Sequence, residues 1–324
     1  MHHDIENKDT NTTPWIGPHG QYMERLELHV TYHCPEKCMF CSEEHRMNTY
    51  RSFPVTWGRV AKTLRLHASR GVKNVHFTGG EPSIHPKFID ILALAKKLRM
   101  RTSLGTIGTM LSRWDFAQKG FPLLDEGLFS VHGPNAQIHD GLTRRNGSFE
   151  TVSKAMQHAS LFPHFSLFAN TVLTQQNVDV LPDTVSYLVE QGAKLIVISN
   201  TTPEGAGEDH YKNLAVPLQQ LRDIIPKTVE RAQDVILRFF GVPMCILGEY
   251  FSLSNDLHWD PRVTVEWQSQ PNKVVFDGIY SWKPDRRRVH VDACGVCRKK
   301  EICMGVFDEF VQHFSIEELE PTLL

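Results

Sequence analysis

The sequence predicts an α/β fold in which six repeated βα units wind into an open barrel, followed by a smaller cysteine-rich unit. Three observations predict it. Between residues 24 and 234, β-branched and apolar segments alternate with longer amphipathic stretches, the pattern of parallel strands joined by crossover helices. Turns containing Gly, Asn or Ser follow most of the strands, where an α/β barrel places its ligand-binding loops. The rhythm stops near residue 234, and four of the seven cysteines lie beyond that point.

Taken in order, residues 1–23 form a polar tail. It lacks the charged start, apolar middle and small-residue cleavage site of a secretory signal, so a cytoplasmic location is expected. Strands are expected over residues 26–31, 74–78, 102–106, 128–132, 165–173 and 195–199. Six units rather than eight give a partial (β/α)6, TIM-like barrel over residues 24–234. A helix over 213–234 closes the series, with a bend expected at Ile225 and Pro226. Residues 235–324 carry short strand-like pieces at 237–242, 263–267 and 273–276 and a final helical segment over 306–319. A unit of this size with so little periodic hydrophobicity is of the kind that uses a metal as its staple.

Composition narrows the function. With 324 residues, 41% hydrophobic and 22% charged, the chain can bury a full core, and no apolar run approaches a membrane span. Lys plus Arg number 35 against 37 Asp plus Glu, so no nucleic-acid partner held by phosphate electrostatics is expected. In a reducing compartment, clustered cysteines read as metal ligands rather than disulfides.

Cys34, Cys38 and Cys41 follow the first strand with the spacing C-x3-C-x2-C. A cubane iron–sulfur cluster normally takes four cysteines, so three leave one iron open to a ligand. Spacing alone leaves a zinc site completed by His33 or His45 as an alternative. A second signature, Gly79-Gly80-Glu81-Pro82, follows the second strand, where two glycines allow close backbone approach to a ligand.

With these two motifs in place, residues 25–210 resemble the radical S-adenosylmethionine (radical SAM) enzymes. The resemblance implies that Cys34, Cys38 and Cys41 bind a [4Fe-4S] cluster, that Phe40 packs by the adenine of SAM, and that the turn from Gly79 to Pro82 holds its methionine amino group. Ser130 and His132 on the fourth strand match a softer family segment that meets SAM, and Asn170 on the fifth and Asn200 after the sixth are similarly placed at strand ends facing the expected cavity; each of these residues reads as a SAM contact or as a structural hydrogen bond at a strand terminus. The implied chemistry is reductive cleavage of SAM to methionine and a 5′-deoxyadenosyl radical, which abstracts hydrogen from a C–H bond of the substrate. Residues 138–149 are also reminiscent of the family, with Arg144 and Arg145 read as solvated surface.

The other cysteines, Cys245, Cys294, Cys297 and Cys303, suit either tetrahedral zinc or a complete [4Fe-4S] cluster. The C-x2-C-x5-C run resembles the auxiliary-cluster extensions of the family, the SPASM and twitch modules. Where a full SPASM module would have a further cysteine this chain has Phe307, so a single auxiliary [4Fe-4S] cluster serving electron transfer is expected. Lys283, Arg286, Arg287 and Arg288 read as a solvated run or as the contact for an acidic substrate or a flavodoxin- or ferredoxin-like electron donor. Only a short segment precedes the first strand, which favours a small-molecule substrate over a precursor peptide. The alternatives kept open are a peptide maturase and a non-catalytic zinc-binding scaffold.

Overall fold

The computed structural model describes residue 16 and residues 20–322, so the polar tail expected over 1–23 lies largely outside the described residues. Seven strands form the wound series: β1 Arg25–Thr31, β2 Asn74–Gly79, β3 Arg101–Thr106, β4 Glu126–Ser130, β5 Ser166–Leu173, β6 Leu195–Asn200 and β7 Ile236–Phe240. Each pairs in parallel with the next. The α/β barrel fold stands, and it is left open.

Two features differ from the sequence expectation. Residues 236–240 are not part of a separate unit but continue the sheet beside β6. Beyond them, β8 (Arg262–Gln270) joins the opposite edge in parallel with β1, and β9 (Lys273–Ser281) folds back on it as an antiparallel hairpin. The sheet order is β7-β6-β5-β4-β3-β2-β1-β8-β9. It therefore crosses the boundary placed at residue 234. Periodicity reports that a segment is a strand, but not which edge it joins.

The helices follow from their apolar stripes. Here α1 is Glu44–Tyr50, α2 is Trp57–Ser69 and α3 is Phe88–Lys97. Thr56 caps α2 by accepting from Arg59 N, and Val60, Ala61, Leu64 and His67 give the helix one buried face. α4 is Trp114–Gly120, α5 is Ala136–Thr143, α6 is Ser148–Ala159 and α7 is Leu181–Glu190. The expected last helix is Leu218–Glu230, and it runs through Pro226. The helical segment expected over 306–319 shrinks to Asp308–His313, preceded by β11 (Val306–Phe307) paired with β10 (Arg288–Val289).

The two faces of the sheet are packed differently. Residues under the helices, such as Leu167, Ala169, Ile196 and Ile198, are buried, each large apolar side chain contributing about 1.5–3 kcal/mol. The alternate positions Leu128, Ser130, Phe168, Asn170, Val172, Val197 and Ser199 are only half-buried. Those residues line the concave face. Among the described residues no helix is long and apolar enough to cross a membrane.

Candidate functional site

The cysteine loop leaves β1 at the mouth of the barrel, and three neighbouring segments fix its course. Gly80 N donates to Thr31 O (2.9 Å) and Glu81 N to His33 O (2.8 Å), so the β2 turn is bonded to the start of the loop. Lys37 N and Met39 N donate to Thr143 O and Leu142 O at the end of α5, and Ala206 N donates to Cys41 O. A Cβ on Gly79 or Gly80 would overlap the carbonyl oxygen of Thr31 or His33, and Gly79 has φ +116°. The glycine pair is thus required first by the loop's own backbone, and this close approach is the one the sequence reading assigned to a ligand.

Glu81 is fully buried, and its carboxylate accepts from Ser83 N, Ser83 Oγ, Thr106 Oγ1 and Ile107 N. That uses the acceptor capacity of a carboxylate and ties the β2 turn to the end of β3. Burial pushes its pKa up against these hydrogen bonds. Pro82 is buried at the start of the following turn.

Phe40 lies edge-on to the His132 ring, with centroids 4.6 Å apart, which joins the cysteine loop to the end of β4. Two side-chain acceptors end that strand at Ser130. His132 N donates to His139 Nδ1 and Val172 N donates to His132 Nδ1, which replaces ladder bonds by imidazole ones. This is why the strand stops two residues short of the expected 132. Both rings are buried and stacked, and burial lowers both pKa values, that of His139 to about 4.

Ser130 and Asn170 face each other across the β4–β5 register on the concave side. Asn170 Oδ1 accepts from Ser199 Oγ at 2.7 Å. Asn200 is buried instead, its Nδ2 donating to Gly241 O, with Oδ1 lacking a partner among the described residues. The concave position at the end of β6 belongs to Ser199, which sequence reasoning missed by one residue in a strand of period two. Arg144 is exposed as expected, whereas Arg145 is half-buried and interacts electrostatically with buried Glu36.

The three thiols suit a metal cluster better than free chemistry. All seven cysteines are free. Burial pushes the Cys34 and Cys41 thiols up to about 12 and Cys38 well above its ordinary value. They are therefore held protonated until a cation takes the proton's place.

Sequence reasoning also missed a charged cluster beside the loop, in which His29 and Glu266 are buried and Glu43 and Arg46 half-buried. Arg46 reaches Glu43 (2.7 Å) and Glu266 (3.3 Å), and His29 lies 3.6 and 3.4 Å from the same two carboxylates. Only the β8 insertion, invisible to periodicity, brings Glu266 next to β1.

Cys245, Cys294, Cys297 and Cys303 come from segments about fifty residues apart, yet all four line one pocket beside Pro243, Met244 and Gly305. Four soft donors around one cavity fit a complete [4Fe-4S] cluster or zinc. The neighbouring arginines are spent within the fold. Arg286 pairs with Glu204, Arg287 with Asp308 and Glu208, and Arg288 with Asp256. They tie residues 286–288 to the barrel and to the C-terminal segment, so that Lys283 and Arg286 stay exposed as a solvated run would be, whereas Arg287 is half-buried and Arg288 buried.

Residues 28–188 match the radical SAM superfamily. The chain carries a radical SAM domain. The cofactors of such a domain are a [4Fe-4S] cluster and SAM, as the resemblance implied. Similar curated proteins include a PqqA peptide cyclase of Bradyrhizobium diazoefficiens, 25% identical over 231 residues, covering 70% of this chain and 58% of that protein. A probable GTP 3',8-cyclase of Methanopyrus kandleri is 30% identical over 183 residues, covering 55% of this chain and 57% of that one. The chain thus spans little more than half the length of these relatives. Among solved structures, Streptococcus suis SuiB bound to S-adenosylmethionine matches with TM-score 0.61 at 13% identity, covering 91% of this chain and 77% of that one. SuiB bound to its precursor peptide SuiA matches with TM-score 0.58 at 14% identity over 75% of this chain and 57% of that one.

Proposed function

We propose that this protein is a radical SAM enzyme with a second, auxiliary [4Fe-4S] cluster, and that its substrate is a peptide. When bound, the first cluster and SAM supply an electron and an adenosyl radical for hydrogen abstraction. The chain's own residues position and shield that chemistry. Cys34, Cys38 and Cys41 hold the first cluster, Phe40 and His132 form a wall beside it, and Gly79 to Pro82, Ser130 and Asn170 present polar groups at the strand ends. Cys245, Cys294, Cys297 and Cys303 hold the second cluster, and their convergence on one pocket is the observation that carries this reading. The electron donor is proposed to be a flavodoxin- or ferredoxin-like protein.

The peptide reading is supported by relatives that act on, or were solved with, precursor peptides. It is also supported by the concave face, which offers Leu128, Phe168, Val172 and Val197 with small polar groups between them. A phosphate-bearing substrate would call for free arginines. Arg25, Arg46 and Arg262, near the barrel interior, are each paired with carboxylates, whereas Arg238, in register with Val197, makes no ion pair among the described residues and serves the second reading. The GTP 3',8-cyclase relatives favour a small molecule as the second reading.

The test is anaerobic reconstitution with iron and sulfide counts, followed by dithionite and SAM with assay of 5′-deoxyadenosine. About eight irons per chain are expected, falling to about four with loss of 5′-deoxyadenosine when Cys34, Cys38 and Cys41 are replaced by Ala. Zinc at both sites and no 5′-deoxyadenosine would leave the scaffold reading. For the substrate, a low-mass cell extract should stimulate 5′-deoxyadenosine release, and protease treatment should abolish the stimulation. Protease-resistant stimulation would favour the small molecule.

A further inference from the structure

We propose that Arg288 is a positioning residue that sets the reduction potential of the C-terminal cluster through Cys303. The inference rests on the reading of that site as a [4Fe-4S] cluster. The Arg288 side chain is wholly buried and its partner Asp256 is 1% exposed. Burying such a pair costs about as much as its attraction returns, so stability alone does not account for it.

The pair holds one turn of backbone. Arg288 Nε and Nη2 both donate to Gly305 O, at 3.1 and 2.6 Å. Asp256 Oδ2 accepts from Arg288 Nη2 and from Met304 N, each at 3.3 Å. The Met304–Gly305 turn is therefore gripped at the N–H of one residue and the C=O of the next. Gly305 has φ +82°, and a Cβ there would overlap Val289 O, so the turn fits closely against β10. Held this way, Gly305 N donates to Cys303 Sγ at 3.4 Å. The guanidinium also interacts electrostatically with Cys303, and its Nη1 has no partner among the described residues.

An N–H directed at a ligand sulfur and a buried positive charge both favour the more negative, reduced state of a cluster, which raises its potential. Lys at 288 keeps the charge but loses the two-nitrogen grip on Gly305 O, and Met loses both. Asn at 256 keeps an acceptor for Met304 N but removes the negative charge that offsets the guanidinium.

The test is an EPR-monitored redox titration of the anaerobically reconstituted full chain, with the first cluster as internal reference. Arg288→Met is expected to shift the second cluster to a more negative potential, Arg288→Lys to shift it less in the same direction, and Asp256→Asn to shift it to a more positive one. The first cluster should stay in place. If Arg288→Met fails to hold iron, Arg288→Lys and Asp256→Asn decide the matter by their opposite signs. Unchanged potentials, or shifts of one sign in all variants, would overturn the proposal as mere loosening of the fold. Zinc in the wild-type site, found by metal analysis before any titration, would overturn the cluster reading itself and this inference with it.

Discussion

A methyl group at position 80 would collide with the His33 carbonyl, which belongs to the loop carrying Cys34. Both atoms are backbone, and rotamer changes give no relief, so the turn or the loop must move. Gly80→Ala is expected to lose the first cluster, with iron falling from about eight to about four per chain, while far-UV circular dichroism stays near wild type. A fully loaded Gly80→Ala protein would mean that the loop tolerates the shift. His139 offers a pH test. Burial first, against the opposing Asp140 charge, brings its pKa to about 4 from an unfolded value of about 6.5. Between those values the unfolded chain binds a proton that the folded one does not, so stability present above pH 6.5 is lost as pH falls towards 4. Asn at 139 keeps an acceptor for His132 N and carries no titration. The stability of His139→Asn relative to wild type should therefore improve by about 2 kcal/mol between pH 7 and pH 5, measured by urea unfolding. Buried carboxyls such as Glu36, Glu81 and Glu266, whose raised pKa values act in the opposite sense, are common to both proteins and cancel in the difference. A pH-independent difference would place the His139 proton elsewhere.

At the scale of elements, legibility followed the type of signal. The two cysteine groups and the Gly79 to Pro82 turn were readable because their chemistry depends on residue type at fixed spacing. The strands β1, β2, β3, β5 and β6 were readable because each sits between covered neighbours and alternates or runs apolar accordingly. β4 was displaced because it is ended by imidazole acceptors on His132 and His139, and no periodicity reports a side chain that takes over a backbone bond. Asn200, read as a ligand contact or a structural hydrogen bond, makes a structural one, to Gly241 O. At the last residue of a strand, position alone does not tell which face a side chain joins, and the Gly241 carbonyl that receives Asn200 comes from a distant turn. Arg287 and Arg288 were misread because their partners, Glu208, Asp308 and Asp256, lie from about twenty to eighty residues away in sequence, while Arg286 is exposed as expected although it pairs with Glu204.

At the scale of the molecule, the sheet makes residues before and after 234 depend on one another. β8 covers the edge of β1, and it supplies Arg262 to Glu27 at 2.7 Å inside the barrel. Burial would raise the Glu27 carboxyl, but Arg262 and Arg25 overcome it and hold its pKa at about 2. Removing Arg262 leaves that half-buried carboxylate with Arg25 alone as its ion-pair partner, so Arg262→Met is expected to destabilise the full chain in urea unfolding. At the other edge, β7 covers β6, and Leu237 and Phe239 are buried against the rest of the core. A chain ending at residue 234 would expose two long parallel edges at once, each a template for intermolecular pairing. Expressed alone, residues 1–234 should therefore be recovered mostly in the insoluble fraction, and refolded material should show a broad thermal transition where the full chain unfolds cooperatively. A soluble, cooperatively folding 1–234 that binds about four irons would show the barrel to be self-sufficient, with the strands after 234 acting as a cover rather than a part of the sheet on which it depends.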